Sequence, residues 1–320
     1  MTSMTSTAPG KLILTGEYAV LDGAPALVIA VNRRVVAKRR GPVLAASSPF
    51  LLAVANELAE RRGKDDPSVT AALGISVDSS AFYDGAMKLG LGSSAAVTVA
   101  ATRLALAEAG EGARTEVLEI AMAAHAAAQG ERGARGSGAD IASAVHGGTI
   151  KFEAGRASKL GAWPESLVLV PFFTGVSADT ATLVARVMEA RAANPTTVDA
   201  ALTAVADASS AAIAPFGSRY PGTSTVVLGA FALAAAAIDR LAIATGVALV
   251  PECVRAARVA MAAFGGTAKT TGAGGGDIGI AVIPSTADVT SARRALIQCG
   301  CQPLSLSVDE VGVDLRAAAS

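Results

Sequence analysis

The chain has 320 residues, of which 52% are hydrophobic, 17% are charged and 4% are aromatic. Such a length predicts one large or two medium domains, with a core filled mainly by alanine and small aliphatic side chains. Lysine plus arginine and aspartate plus glutamate both number 27, so the formal net charge is zero. This balance excludes bulk electrostatic binding to nucleic acid or an anionic membrane, and we expect neither as a partner. A local basic pocket for a small anion remains compatible with it.

The chain contains three cysteines, which are Cys253, Cys299 and Cys301. An odd and sparse set is not a disulfide framework, so we expect free thiols in a reducing compartment. Residues 1–8 lack the basic and apolar regions of a secretory signal peptide. The most apolar stretch, residues 226–238, ends at Asp239 and Arg240 and is shorter than a membrane span. These features predict a cytoplasmic protein.

The predicted elements mix strands and helices without a regular β-α-β alternation. Strands are predicted at residues 12–15, 26–36, 74–78, 149–152, 167–173, 278–283 and 303–308. Helices are predicted at residues 49–62, 95–109, 114–129, 139–145, 179–192, 197–212, 231–246, 253–264 and 290–298. This order predicts an α+β fold in two halves, residues 1–158 and 159–320.

The strongest motif is a glycine-rich turn with the sequence KLGLGSSAA at residues 88–96, which leads into a helix. Gly90 and Gly92 allow the backbone to approach a ligand closely. The first N–H groups of the helix and the positive end of its dipole would then face that ligand, an arrangement that suits phosphate. A serine hydroxyl there is also an oxygen donor for Mg²⁺. By itself the turn is equally compatible with a capped tight turn or with the dinucleotide-binding pattern G-x-G-x-x-A.

Two further segments carry the same kind of signal. Residues 270–277, with the sequence TTGAGGGD, contain four glycines in five residues. Each costs roughly 0.5–1 kcal/mol relative to alanine in regular structure, so we interpret the run as a close approach of the backbone to a ligand. Near the N-terminus, Pro9 and Gly10 precede Lys11 and an apolar strand, which gives this lysine a rigid position. The sequence has no G-x-x-x-x-G-K-[ST] P-loop, so the common phosphate cradle is excluded.

Together and in this order, residues 9–18, 88–96 and 271–277 resemble the three signatures of the GHMP kinases. This superfamily includes galactokinase, homoserine kinase, mevalonate kinase and phosphomevalonate kinase. Within it the chain is most similar to the phosphomevalonate kinases, through TGEYAVL at residues 15–21 and GSGADIA at residues 136–142. The resemblance implies an N-terminal domain like the second domain of ribosomal protein S5 and a ferredoxin-like C-terminal domain. It also implies that ATP binds in the cleft between them, with Mg²⁺.

The resemblance implies an ATP-dependent enzyme that transfers the γ-phosphoryl group to phosphomevalonate and forms diphosphomevalonate. Mevalonate kinase is the first alternative, because it shares the chemical elements and differs only in its acceptor. Further alternatives are an ATP-dependent diphosphomevalonate decarboxylase, a non-catalytic ligand sensor of the same fold and, from the G-x-G-x-x-A pattern, a dinucleotide-binding oxidoreductase. The expected partner is a small anionic substrate, and the expected assembly is a monomer or a homodimer.

The resemblance also assigns roles to single residues. Asp140 matches the catalytic aspartate, which accepts or orients the proton of the attacking oxygen, and Lys11 would neutralise charge on the transferred group. The residues expected to bind the nucleotide are Lys88, Gly90, Leu91, Gly92, Ser93, Ser94 and Ala95. Those expected at the acceptor are Lys11, Glu17, Tyr18, Arg132, Ser137, Gly272, Ala273 and Gly274. The expected Mg²⁺ ligands are Ser94 and Glu131, with Gln129 as the alternative to Glu131.

The role of the arginines in the loop before Asp140 stays open. Arg132 and Arg135 either bind anionic groups of the acceptor as bidentate forks or are ordinary solvated loop arginines. His125 is interpreted as a helix histidine with satisfied hydrogen bonds and not as a proton shuttle.

Overall fold

The computed structural model describes residues 4–39, 48–108, 110, 112–131, 136–216 and 223–317. The strands within these ranges are β1 (Met4–Thr15), β2 (Ala26–Arg39), β3 (Ile75–Asp78), β4 (Tyr83–Asp84), β5 (Met87–Lys88), β6 (Thr149–Glu153), β7 (Arg156–Lys159), β8 (Leu167–Phe173), β9 (Thr267–Thr270), β10 (Ile278–Pro284), β11 (Gln302–Pro303) and β12 (Asp314–Ala317). The helices are α1 (Pro49–Arg62), α2 (Pro67–Leu73), α3 (Ser93–Glu108), α4 (Arg114–Gly130), α5 (Ala139–His146), α6 (Thr180–Ala193), α7 (Pro195–Ile213), α8 (Thr223–Thr245), α9 (Glu252–Ala262) and α10 (Val289–Gln298).

The first sheet is built on β1 and β2, which pair antiparallel over most of their length. On the far side of β2, β6 pairs with the beginning of the strand and β3 with its end. The sheet extends to β7 beyond β6 and to β12 beyond β1. Helices α1, α3, α4 and α5 cover this sheet and share its core. Fully buried members of that core include Leu12, Leu27, Ile29, Leu58, Leu104 and Ile141.

The second sheet has the order β11-β8-β10-β9, and each of its described pairings is antiparallel. Helices from the second half of the chain pack on it and form a separate core. Buried members of that core include Val170, Phe172, Val205, Leu241, Val254 and Ile283. Two antiparallel sheets with helices packed against them confirm the expected mixture of strands and helices.

The C-terminal tail returns to the first sheet. β12 pairs antiparallel with the start of β1, so the predicted second half, residues 159–320, contributes a strand to the sheet of the first half. Arg34 fixes the approach of this tail, since its guanidinium pairs with Asp309 and donates to the carbonyl of Gly312 at 2.5 Å. The strand expected at residues 303–308 is wrong in extent, because only Gln302–Pro303 forms a ladder and Val308 makes a single bridge.

Helix α8 is longer than expected and is the most apolar helix of the structure. Ser224–Thr245 is long and apolar enough to cross a membrane by length and composition, which corrects the expectation that the apolar stretch is too short. Half of its most apolar window is buried within the protein. Val227, Phe231 and Ile238 are fully or almost fully buried and belong to the two cores, as in a core helix of a globular fold.

Gly312 provides a test of how the tail is packed. Its φ is +72°, and an added Cβ would lie 2.4 Å from the carbonyl oxygen of Val145. Gly300 has a similar φ of +82°, but a Cβ added there would meet nothing within 4 Å, so it is a matched control. We expect Gly300→Ala to cost about 1 kcal/mol of unfolding free energy through backbone strain alone. Gly312→Ala should cost a further 1–3 kcal/mol, approximately, through overpacking.

Urea denaturation followed by circular dichroism measures both losses. Equal losses for the two variants would show that the tail is not packed against the end of α5 in this way.

Candidate active site

The first glycine-rich segment, residues 9–18, places Lys11 beside the second, residues 88–96. The register of β1 on β2 shifts between Pro9 and Gly10, immediately before this lysine. Its N–H donates to the carbonyl of Leu91 at 2.9 Å, and its side chain runs beside Gly92, where an added Cβ would lie 3.0 Å from Lys11 Cε. The strand irregularity therefore re-aims the lysine along the glycine-rich turn.

Buried leucines and partly buried glycines alternate in the turn itself. Leu89 and Leu91 are buried in the first core, at 1% and 0% exposure. Gly90 and Gly92 alternate with them and have φ values of +68° and +77°, which side chains rarely adopt. Helix α3 begins at Ser93, so its first N–H groups lack acceptors within the helix. The positive φ of both glycines and the unpaired N–H groups are compatible with a phosphate cradle, which stays a prediction.

Ser94 and His125 lie within hydrogen-bond distance of each other. Ser94 Oγ is 3.2 Å from His125 Nε2. The imidazole is 3% exposed and stacks on Phe50, with ring centroids 5.3 Å apart. The expectation of a satisfied helix histidine gave no hint of this partner. His125 therefore restrains the hydroxyl that we expect to ligate Mg²⁺.

Asp140 lies in the first turn of α5. Its Oδ1 accepts from the N–H of Ile141 at 3.0 Å, and the positive end of the helix dipole favours its negative charge. Just before it, Ser137 Oγ accepts from the N–H of Ala139 at 3.3 Å. Burial lowers the pKa of Lys11, while the carboxylates of Asp140 and Asp277 oppose that shift. Asp140 therefore lies close enough to Lys11 to stabilise its charge.

The third glycine-rich segment serves internal packing more than we expected. An added Cβ at Gly274 would lie 2.3 Å from the carbonyl oxygen of Leu249, and one at Gly276 would lie 2.6 Å from that of Val176. Gly275 is similarly close to a neighbouring leucine side chain. Only Gly272, within this run, has open space where a Cβ would lie. Close approach to the rest of the protein therefore explains three of the four glycines.

Asp277 ends this segment, and the sequence interpretation gave it no role. It has a φ of +51°, which is rare for a residue with a side chain. Its carboxylate lies against Gly90, since a Cβ there would be 2.5 Å from Asp277 Oδ2. The sequence offered one signal for such a role, an acidic residue directly after the glycine run. Its contact, Gly90, is far away in sequence.

The first and third segments are joined by a buried ion pair. Glu17 and Lys269 pair with both side chains 1% exposed, and Lys269 Nζ also donates to the carbonyls of Leu14 at 2.9 Å and Thr270 at 2.6 Å. Burial raises the pKa of Glu17 and lowers that of Lys269, and the attraction between them opposes both shifts. The pairing partner of Glu17 was not predicted, because the sequence of the short strand Thr267–Thr270 does not mark its lysine as buried.

Tyr18 makes a second link between the same two segments. Its hydroxyl donates to the carbonyl of Ala273 at 2.5 Å, and its ring is 5% exposed. Burial, followed by the charge of Glu17, raises the pKa of Tyr18, so the phenol remains a donor. Glu17 and Tyr18 therefore hold the third segment in place, and their expected contact with an acceptor stays a prediction.

The remaining predicted site residues make fewer described contacts with the glycine-rich segments. Lys88 is exposed at the end of the β4–β5 hairpin, within electrostatic range of Lys11. Glu131 is exposed at the C-terminus of α4, and Gln129 packs on the backbone of Gly136. No group of three metal-binding side chains occurs in the part of the chain that the structure describes. Arg132 and Arg135 lie outside the described residues.

Comparisons with known proteins identify the domain that carries the glycine-rich turn. Residues 49–148 match the family model described as the GHMP kinases N terminal domain. The chain carries a GHMP kinase N-terminal domain. A phosphomevalonate kinase from Streptomyces sp. (strain CL190) is 29% identical, and the match covers 94% of this chain and 96% of that protein. The resemblance expected from the three glycine-rich motifs is confirmed for the N-terminal domain, and this domain together with the relative supports a small-molecule kinase.

Solved structures show the same fold. The Lin0012 protein from Listeria innocua has a TM-score of 0.83 at 20% identity, covering 99% of this chain and 100% of that one. The Streptococcus pneumoniae phosphomevalonate kinase in complex with phosphomevalonate and AMPPNP has a TM-score of 0.76 at 18% identity, covering 95% and 99%. At these identities the likeness shows the fold alone. The GHMP kinase fold therefore extends over almost the whole chain.

The buried ion pair gives a stability prediction. Lys269→Met leaves the Glu17 carboxylate buried without its partner, and we expect it to cost about 3–5 kcal/mol of unfolding free energy. The double variant Glu17→Gln/Lys269→Met should recover part of that loss, since no unpaired charge remains. Lys151→Met, which breaks the partly exposed pair with Glu153, is the control and should cost at most about 1 kcal/mol.

Chemical denaturation of the four proteins, including the unsubstituted chain, provides the measurement. A Lys269→Met loss no greater than that of the control would contradict a buried pair between the two segments.

Proposed function

We propose that the chain is an ATP-dependent kinase that transfers the γ-phosphoryl group to phosphomevalonate. The observation that carries the proposal is the position of Lys11 between the glycine-rich turn and two carboxylates, one of which is Asp140. The similarity to a phosphomevalonate kinase over 94% of the chain favours this acceptor. A neighbour of the same fold, from Streptococcus pneumoniae, was solved with phosphomevalonate and AMPPNP, which supports both substrates.

The chemistry needs positioning and charge neutralisation more than covalent help from the protein. The glycine-rich turn and the N–H groups that open α3 would hold the phosphates of ATP. Lys11 would stabilise negative charge that spreads over the transferred group. A phosphate oxygen of the acceptor is already largely ionised near neutral pH, so Asp140 would orient this nucleophile more than deprotonate it.

Mg²⁺ fits the donors of this site in a limited way. Ser94 supplies one oxygen, and an exposed Glu131 or Gln129 on α4 is the candidate for a second. Mg²⁺ commonly uses one or two protein ligands together with substrate phosphates and water, so a small protein donor set is sufficient. When bound, the ion would neutralise phosphate charge during transfer.

The finer architecture belongs to the same proposal. We assign residues 1–158 to a domain like the second domain of ribosomal protein S5 and residues 159–313 to a ferredoxin-like domain. The final strand, Asp314–Ala317, is assigned to the first of these because it pairs with β1. The proposed enzyme is cytoplasmic, acts on a small anion as a monomer or homodimer, and has neither nucleic acid nor membrane as a partner.

The acceptor is tested with a panel of mevalonate, phosphomevalonate, diphosphomevalonate, homoserine and galactose in a coupled assay of ADP release. We expect kcat/KM for phosphomevalonate to exceed that for each other acceptor by at least about tenfold, because a site that pairs with a phosphate loses those contacts without it. A preference for mevalonate would replace the proposal with mevalonate kinase. Release of CO₂ from diphosphomevalonate would identify a decarboxylase.

Asp140→Asn tests the proposed catalytic carboxylate. The amide keeps the shape and removes the charge that orients the acceptor, so kcat should fall by about 10²–10⁴-fold. The dissociation constant of ATP, measured by calorimetry, should change little. Asp65→Asn is the control, because Asp65 is an exposed aspartate between α1 and α2. Unchanged turnover in Asp140→Asn would remove Asp140 from the mechanism.

A further inference from the structure

We propose that Asp277 is a positioning residue that holds Lys11 in its charged form. The third glycine-rich segment carries the Asp277 carboxylate onto the turn at Gly90. Lys11 runs beside Gly92 on the same turn. Burial raises the pKa of Asp277, while the N–H of Ala178 and the charges of Lys11 and Lys88 oppose that shift. The assignment goes beyond the proposed roles of Lys11 and Asp140, because it gives the third segment a charge that acts on the first two.

The backbone around Asp277 is built to present this side chain. Its N–H donates to the carbonyl of Val176 at 2.6 Å, and its own carbonyl accepts from the N–H of Thr174 at 2.9 Å. The carboxylate Oδ1 accepts from the N–H of Ala178 at 3.2 Å. Together with a left-handed φ of +51°, these contacts fix the direction of the side chain. A residue held in a rare backbone conformation by three contacts is over-determined, as positions near active sites often are.

The contact with Gly90 accounts for the absence of a side chain at that position. An added Cβ would lie 2.5–2.7 Å from side-chain atoms of Asp277, closer than any ordinary contact. Gly90 therefore leaves space for a carboxylate from the second half of the chain, in addition to providing the turn. The second and third segments are fitted to each other at this single point.

A carboxylate beside a phosphate-binding turn would repel the ligand unless cations offset it. Two lysines and two aspartates contribute charge here: Lys11 is influenced by Asp140, Asp277 and Lys88, and Asp277 is influenced by both lysines. Burial works against the charge of Lys11, the neighbouring Lys88 adds to that effect, and the two carboxylates oppose it. Without Asp277 a single carboxylate would remain to keep the buried ammonium protonated.

The consequence for catalysis rests on the proposed function. A deprotonated Lys11 cannot neutralise a transferred phosphoryl group, so the reaction should fail as pH rises through the pKa of Lys11. Loss of the Asp277 charge lowers that pKa and should move the alkaline limb of the pH profile to lower pH. Asp277 acts in this scheme through Lys11 and not through contact with the substrate.

Asp277→Asn isolates the charge from the structure. Asparagine tolerates left-handed backbone and keeps an oxygen for the N–H of Ala178, so folding should be preserved. Asp277→Gly, which suits the same backbone, is the second variant. Asp65→Asn removes an aspartate charge at an exposed position and is the control. Thermal unfolding establishes that all three variants are folded.

The primary measurement is the pKa of Lys11, from side-chain NMR of the lysine-labelled full chain, with Lys11→Met used to assign the signal. We expect Asp277→Asn and Asp277→Gly to lower this pKa by on the order of one unit, as removal of a close opposite charge does. The control should leave it unchanged. In the kinase assay, kcat/KM at alkaline pH should fall about tenfold, with the limb shifted in the same direction.

An unchanged Lys11 pKa in both Asp277 variants, or an equal shift in the Asp65 control, would overturn the inference. The titration needs no substrate, so it separates this inference from the proposed function. If the unsubstituted chain phosphorylated none of the acceptors, the proposed function would fail, while the Lys11 pKa would still support or overturn the role of Asp277.

Discussion

The arrangement of the site depends on one buried cross-link, the ion pair of Glu17 and Lys269. Glu17 lies near the end of the first glycine-rich segment and Lys269 precedes the third, and 251 residues lie between them. Removing two charges from water is costly, so such a pair contributes little net stability and contributes mainly to a unique geometry. Here it fixes the third segment over the first sheet, and Tyr18 repeats the link one residue later. The ion pair therefore fixes the position of the third glycine-rich segment relative to the first.

Glycine has two different uses in these segments. At Gly90 the missing side chain allows a positive φ and leaves space for the carboxylate of Asp277. At Gly274 and Gly276 it allows the chain to pass directly over backbone carbonyls of the protein itself. Sequence alone cannot separate these uses, because both give the same composition. A glycine run therefore indicates close approach, and the structure is needed to identify what is approached.

Elements with clear start and stop signals in the sequence could be predicted to the residue. Pro49–Arg62 and Leu167–Phe173 were predicted with their observed bounds, the first because proline opens it and glycine follows it. The strands Tyr83–Asp84, Met87–Lys88 and Asp314–Ala317 were missed, since such short strands exist only through their pairing partners. Helix Pro67–Leu73 was missed because seven residues show little periodicity.

The same division applies to the site. Lys11, Ser94 and Asp140 were predicted because each lies in a motif whose chemistry can be recognised locally. Lys269, His125 and Asp277 became visible only through contacts with residues 31 to 252 positions away. A buried lysine in a short β-strand has no sequence pattern that distinguishes it from a solvated one.

Charge balance limits how the site would accept the two anionic substrates of the proposed reaction. The described lysines and aspartates at its centre, Lys11 and Lys88 with Asp140 and Asp277, sum to zero when all are ionised. Phosphate groups arriving there would add several negative charges with no net positive charge to receive them. The helix N-terminus offsets part of that charge, and a divalent cation is the natural source of the rest. The carboxylates would then keep Lys11 charged, while the metal and the backbone amides would bind the phosphates. Different groups would therefore maintain the lysine charge and bind the ligand.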